Sequence, residues 1–64
     1  MEKEYMNKLI QLRNLIETGY ENWDRIVDLD SYFTGNRNTC KCKRNTSISN
    51  LNNYWNNNKH KLEQ

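Results

Sequence analysis

Apolar side chains recur at helical spacing in three stretches of the chain, and short polar segments separate them. In residues 2–17, Tyr5, Leu9, Leu12 and Ile16 fall at i, i+4, i+7 and i+11, one stripe of a 3.6-residue period. Met6, Ile10 and Leu15 widen that stripe on both sides, giving a face broad enough to pack between two neighbours. Glu2 and Glu4 sit in the first turn, where the helix dipole favours negative charge.

Thr18-Gly19-Tyr20-Glu21 reads as a break followed by a restart. Gly19 is suited to end the first helix in the left-handed conformation. Thr18, with Glu21 three residues on, matches a capping box for the next helix. That second helix is expected over residues 21–33, with Trp23, Ile26, Val27 and Phe33 on a face shared with Tyr20. Asp30 falls inside the same face. A buried carboxylate needs a partner. Asp30 is therefore expected to reach solvent or a basic side chain near the helix end, the alternative being contact with a binding partner. Gly35 closes the helix.

Residues 36–45 are polar and read as a loop, with room for a first helical turn after Thr39. The third helix is expected over residues 47–62, capped by Thr46 or Ser47. Ile48, Leu51, Trp55 and Leu62 form its stripe, and Tyr54 flanks it. Asn is a poor helix former, so residues 50–58 depend on the packing of Leu51 and Trp55. The pattern predicts an all-α fold in a single domain, residues 1–64. It is a small three-helix bundle with a basic Cys-x-Cys loop between helices 2 and 3.

Composition narrows the picture. A chain of 64 residues buries only about 60% of its unfolded surface, and such a core supplies roughly 3–5 kcal/mol. Hydrophobic residues make up 34%, against a usual share of about 45–50%, so a partner or self-association would help the fold. Two Trp, four Tyr, one Phe and a net charge of only +2 set the chain apart from disordered sequences. Twelve Asn, with neither Ala nor Pro, point to an AT-rich genome. That bias weakens a functional reading of the Asn-rich stretch. No apolar run is long enough for a bilayer, and no signal-peptide pattern opens the chain. The expected location is the cytosol or the inside of an assembly, with no membrane contact and with Cys40 and Cys42 as free thiols.

Charge divides the chain. Residues 1–34 carry four basic and seven acidic side chains, and residues 35–64 carry six basic and one acidic. This asymmetry suggests an acidic protein surface or a polyanion as partner for the basic half. It also favours attraction between the halves, within one molecule or between copies. The candidate contact residues are Arg37, Lys41, Lys43, Arg44, Asn45, Ser47, Asn50 and Tyr54. A helix-turn-helix-like nucleic-acid binder is the alternative, with Lys43, Arg44 and the start of helix 3 at the groove. Arg and Lys neutralise phosphates, and Asn can read adenine. The expected ten-residue turn is longer than the usual three or four.

Other chemistry is poorly supplied. Structural zinc needs four ligands, usually in pairs spaced C-x₂₋₄-C. Cys40 and Cys42 are one residue apart and His60 is the lone histidine, so one chain does not close such a site and no metal or other cofactor is expected. Two chains together would have enough ligands. Lys41, Lys43 and Arg44 would lower the thiol pKa, yet no strand-rich oxidoreductase scaffold surrounds the pair. The plain expectation is one cysteine packed under helix 3 and the other exposed. Asp24 and Asp28 stand at i, i+4, a spacing more usual for a solvated face than for acid–base work. No nucleophile–base set or phosphate loop is present, and the chain is expected not to be an enzyme.

The stretch Ser31-Tyr32-Phe33-Thr34-Gly35, then Thr39-Cys40-Lys41-Cys42-Lys43-Arg44 and a short helix with Leu51, resembles small uncharacterised proteins of tailed phages, including crAss-like phages of gut Bacteroidetes. The resemblance covers roughly residues 31–54. Many of those proteins have C-x-x-C where this chain has C-x-C, so no metal role is carried over. The resemblance implies a phage accessory or virion-associated protein, in the host cytoplasm or the virion, and names no activity. With the residue reading, it makes a non-enzymatic module that docks on a larger assembly the leading expectation.

Overall fold

Three helices account for most of the chain in a computed structural model that describes residues 2–63. They are α1 (Lys3–Glu17), α2 (Trp23–Thr34) and α3 (Arg44–Asn58). A 3₁₀ turn, Lys41–Lys43, leads into α3, and another, Lys59–Leu62, continues it. Each helix packs on the other two, and no strand occurs among the described residues. The expected three-helix bundle is the fold.

The α1–α2 connection is closed by the backbone. The Gly19 N–H donates to the Ile16 carbonyl at 3.0 Å, and the Tyr20 N–H reaches back to the Leu15 carbonyl at 2.9 Å. This pair of bonds is a Schellman motif, and its left-handed residue is the expected Gly19, at φ 72°. Tyr20 also takes a positive φ, 58°, which costs a non-glycine residue roughly 1–2 kcal/mol. Burial offsets that strain, because the Tyr20 ring lies in the core with Leu15. The expected Thr18–Glu21 capping box does not form. Thr18 instead donates its hydroxyl back to the Leu15 carbonyl at 2.9 Å. Asn22 is the cap of α2, accepting from the Arg25 N–H at 3.2 Å, so α2 starts two residues later than residue 21.

The core comprises Leu12, Leu15, Tyr20, Ile26, Leu29 and Leu51, with Ile16, Trp23, Phe33, Ile48, Tyr54 and Trp55 packed around it. Leu9 is fully buried as well. On α1 the buried line is Leu9, Leu12 and Leu15, which turns the expected stripe toward Leu15 and leaves Ile10 at the surface. On α2 the expected stripe omitted Leu29, although Leu29 is fully buried and lies three residues after Ile26. Aromatic rings close one side of the bundle. Phe33 stacks on Tyr54 with centroids 4.5 Å apart and meets Tyr5 edge-on at 5.9 Å. The Tyr5 and Tyr54 hydroxyls are 2.6 Å apart, and the Lys61 Nζ donates to the Tyr5 hydroxyl at 3.2 Å. Burial and then the hydrogen bond to Tyr5 push the Tyr54 phenol well above its ordinary range. Both conditions favour the neutral phenol.

Candidate functional site

The α2–α3 connection is built from polar side chains rather than from apolar contacts. Gly35 ends α2 at φ 76°, with its N–H on the Ser31 carbonyl at 3.0 Å. Below it, Asp30 is only 1% exposed. Its carboxylate accepts from the Thr34 hydroxyl at 2.7 Å and from the Asn36 amide at 2.9 Å. Asp30 thus neither reaches solvent nor pairs with a basic residue, and its burial withdraws it as a partner contact. Hydrogen bonding to the charged form satisfies it instead. Asn38 does similar work further on. Its Oδ1 accepts from the Cys40 N–H at 3.1 Å, an Asx turn. Its Nδ2 donates to the Lys43 carbonyl at 3.3 Å and to the Ser47 hydroxyl at 3.4 Å.

This anchoring moves the start of α3. Thr46 and Ser47 were natural caps, but the helix already runs from Arg44, and Lys43 occupies the cap position without a side-chain bond. Ser47 is fully buried inside the helix and bonded to Asn38. The expected loop over 36–45 shrinks to an irregular stretch at residues 35–40, followed by the 3₁₀ turn. The expected span to residue 62 is covered by α3 and the second 3₁₀ turn together.

The candidate contact residues separate accordingly. Arg37, Lys41, Lys43 and Asn45 are exposed. Arg44 is half-buried, and its Nη2 donates to the Tyr20 carbonyl at 2.7 Å, tying the two connections together. Arg44 is therefore mainly a strut. Ser47 has no exposed surface and leaves the contact set. Tyr54 is engaged by Phe33 and Tyr5. Its edge still lines a shallow groove of about 440 Å³ with Thr34, Asn36, Asn50, Asn53 and Asn57. A smaller cleft of about 210 Å³ lies between α1 and α2, lined by Gln11, Asn14, Leu15, Thr18, Asn22 and Arg25. Asn36 and Asn38, which organise the turn, were not singled out from the sequence. Their signal is an amide just past a helix end and another two residues before Cys40, both turn positions.

Cys40 and Cys42 are joined by a disulfide. Both are exposed, so neither packs beneath α3, and they are not the free thiols expected. With both sulfurs bonded to each other, neither serves as a thiolate ligand in this state. Among the described residues, no cluster of three or more metal-ligating side chains occurs.

The cations of the turn are left without acidic neighbours in sequence, for no Asp or Glu occurs between Asp30 and Glu63. Among the described residues the ion pair is Lys8–Asp28, at 2.9 Å, and both partners lie in the acidic half. The expected attraction between halves thus forms no ion pair there. The N-terminal end of α3 adds the positive end of its dipole to Lys41 and Lys43. Compared with protein-family models, curated proteins and solved structures, the chain matches none. Among the described residues, no helix is long and apolar enough to cross a membrane.

Proposed function

We propose that this chain is a non-enzymatic docking module that binds an acidic protein surface through Arg37, Lys41, Lys43 and the exposed side of α3. The observation that carries the reading is a hydrogen-bonded turn whose three cations are exposed and have no ion-pair partner among the described residues. An ordered backbone spares part of the ordering cost on binding, and unpaired charge steers a partner of opposite sign. The resemblance to small tailed-phage proteins fits a place as an accessory or virion-associated component of a larger assembly.

Nucleic-acid binding is the second reading, and one observation favours it. α3 carries Asn45, Asn53 and Asn56 exposed along its length, just behind the basic turn. Such a face is able to hydrogen-bond base edges. One experiment separates the two. Fluorescence anisotropy at low salt measures the full chain against polyglutamate and against random duplex DNA. The docking reading expects binding to the acidic polypeptide, lost in Arg37→Glu/Lys41→Glu/Lys43→Glu. The nucleic-acid reading expects duplex binding with a log–log salt slope of about −2.7, the value for three neutralised phosphates. No binding to either probe defeats both.

A further inference from the structure

We infer that Cys40–Cys42 is a redox-active pair that exchanges with accessible thiols, an activity that stands independently of the docking reading. Both cysteines are exposed. Their Cα atoms are 5.3 Å apart, within the span a disulfide bridges without backbone movement. The bond encloses a single residue, Lys41, and a disulfide restrains the unfolded chain less as its loop shortens.

The turn is meanwhile held by other bonds. Asn38 holds Cys40, Lys43 and Ser47, and the Lys43 N–H donates to the Cys40 carbonyl at 3.0 Å. None of these contacts uses a sulfur, so opening the disulfide removes none of them directly. An exposed disulfide that is not needed as a staple belongs to the labile class. Charge completes the site. Lys41 lies between the cysteines and Lys43 follows them, and cations stabilise the thiolate that leaves when the bond breaks.

The exchange balances with two thiols of the partner as reductant. A partner thiolate attacks one cysteine sulfur, a mixed disulfide forms, and the other cysteine departs as thiolate with the electron pair of the broken bond. A second partner thiolate then attacks the partner sulfur of that mixed disulfide. It leaves the partner oxidised to its own disulfide and both cysteines reduced, and protons equilibrate with water. Two electrons pass from the partner thiols to the pair.

The test equilibrates the full chain across graded ratios of reduced to oxidised glutathione, followed by acid quench, alkylation and intact mass. The expected result is half-reduction within the ratios that half-reduce a glutaredoxin dithiol, with a minor species heavier by one glutathione. A disulfide that persists in reduced glutathione alone overturns the inference, as does a pair that stays reduced in excess oxidised glutathione. Circular dichroism is expected to show equal helix content in both states, and loss of helix on reduction would mark the bond as a staple and overturn it. Reduction by dithiothreitol, which carries no charge beyond its thiolate, is expected to slow several-fold in Lys41→Glu/Lys43→Glu and to hold its rate in Lys41→Arg/Lys43→Arg. Equal rates in all three proteins would remove the electrostatic basis of the site.

Discussion

The two connections of this bundle do the same geometric job by opposite means. Between α1 and α2, the chain turns with backbone bonds from Gly19 and Tyr20, and it buries the Tyr20 ring. Between α2 and α3, it turns with side-chain bonds from Thr34, Asn36 and Asn38, and it leaves Arg37, Lys41 and Lys43 in solvent. The first turn contributes to the core. The second contributes little to the core and holds a charged surface in a fixed shape. Arg44 joins them through the Tyr20 carbonyl, so the fold's anchor also steadies the cationic end of α3.

The largest effect is expected at the first connection. Tyr20 is 8% exposed, and its hydroxyl donates to the Asn52 side chain on α3. Truncation to Ala should cost about 3 kcal/mol or more, the range for a buried aromatic. Against a core worth roughly 3–5 kcal/mol, that leaves much of the population unfolded. A urea titration followed by circular dichroism measures it. A loss below about 1 kcal/mol, the ordinary effect of a point change, would mean that Tyr20 is not the anchor.

The second connection has one deep element, and it sets the next effect. Asp30→Ala removes the acceptor for Asn36 and one of the two for Thr34, whose hydroxyl also reaches the Asp30 carbonyl at 2.7 Å. Hydrogen bonds to charged groups are worth about 1.5–3 kcal/mol, and a loss near 2 kcal/mol is expected by the same titration. A neutral result would show that Thr34 and Asn36 find water equally well, and the turn would then have no buried anchor.

These two sites also show what the sequence discloses. The helical period of Leu9, Leu12, Ile26 and Leu51 exposes the three helices, because apolar burial writes a repeat into the chain. Gly19 and Gly35 mark their stops, because positive φ selects glycine. The second connection was far less legible. Twelve Asn residues make Asn36 and Asn38 inconspicuous, although they alone organise the turn among their kind. Ser47 has the chemistry of a cap and the burial of a core residue, and only tertiary packing decides between them. Asp30 stands out in the sequence as a charge on an apolar face, but its partners are neutral side chains, which leave no charge signature. The thiol state of Cys40 and Cys42 depends on proximity and redox poise, which spacing does not encode.

A smaller effect is expected from the disulfide. The chain-entropy relation gives about 1.6 kcal/mol for a three-residue loop, as an upper figure. Cys40→Ser/Cys42→Ser should therefore lose no more than about 1.6 kcal/mol relative to the oxidised wild type in thermal melts, short of the Tyr20→Ala loss. A larger loss would make the second connection resemble the first, a turn whose covalent bond is part of the fold.

The smallest stability effect, and the sharpest contrast with it, belongs to the cations. Lys41 and Lys43 are exposed, and neither donates a side-chain hydrogen bond or ion pair among the described residues. Surface changes of this kind stay within about 0.5 kcal/mol. The sign is expected to be favourable in Lys41→Glu/Lys43→Glu, because acidic groups before α3 complement the positive end of its dipole. The native lysines stand where the dipole disfavours them, so their placement works slightly against the fold. The double variant should melt at or just above the wild type while losing affinity for its anionic probe, measured by paired thermal melts and anisotropy. Loss of stability together with loss of binding would instead place the lysines in the architecture, and the distinction between the two connections would disappear.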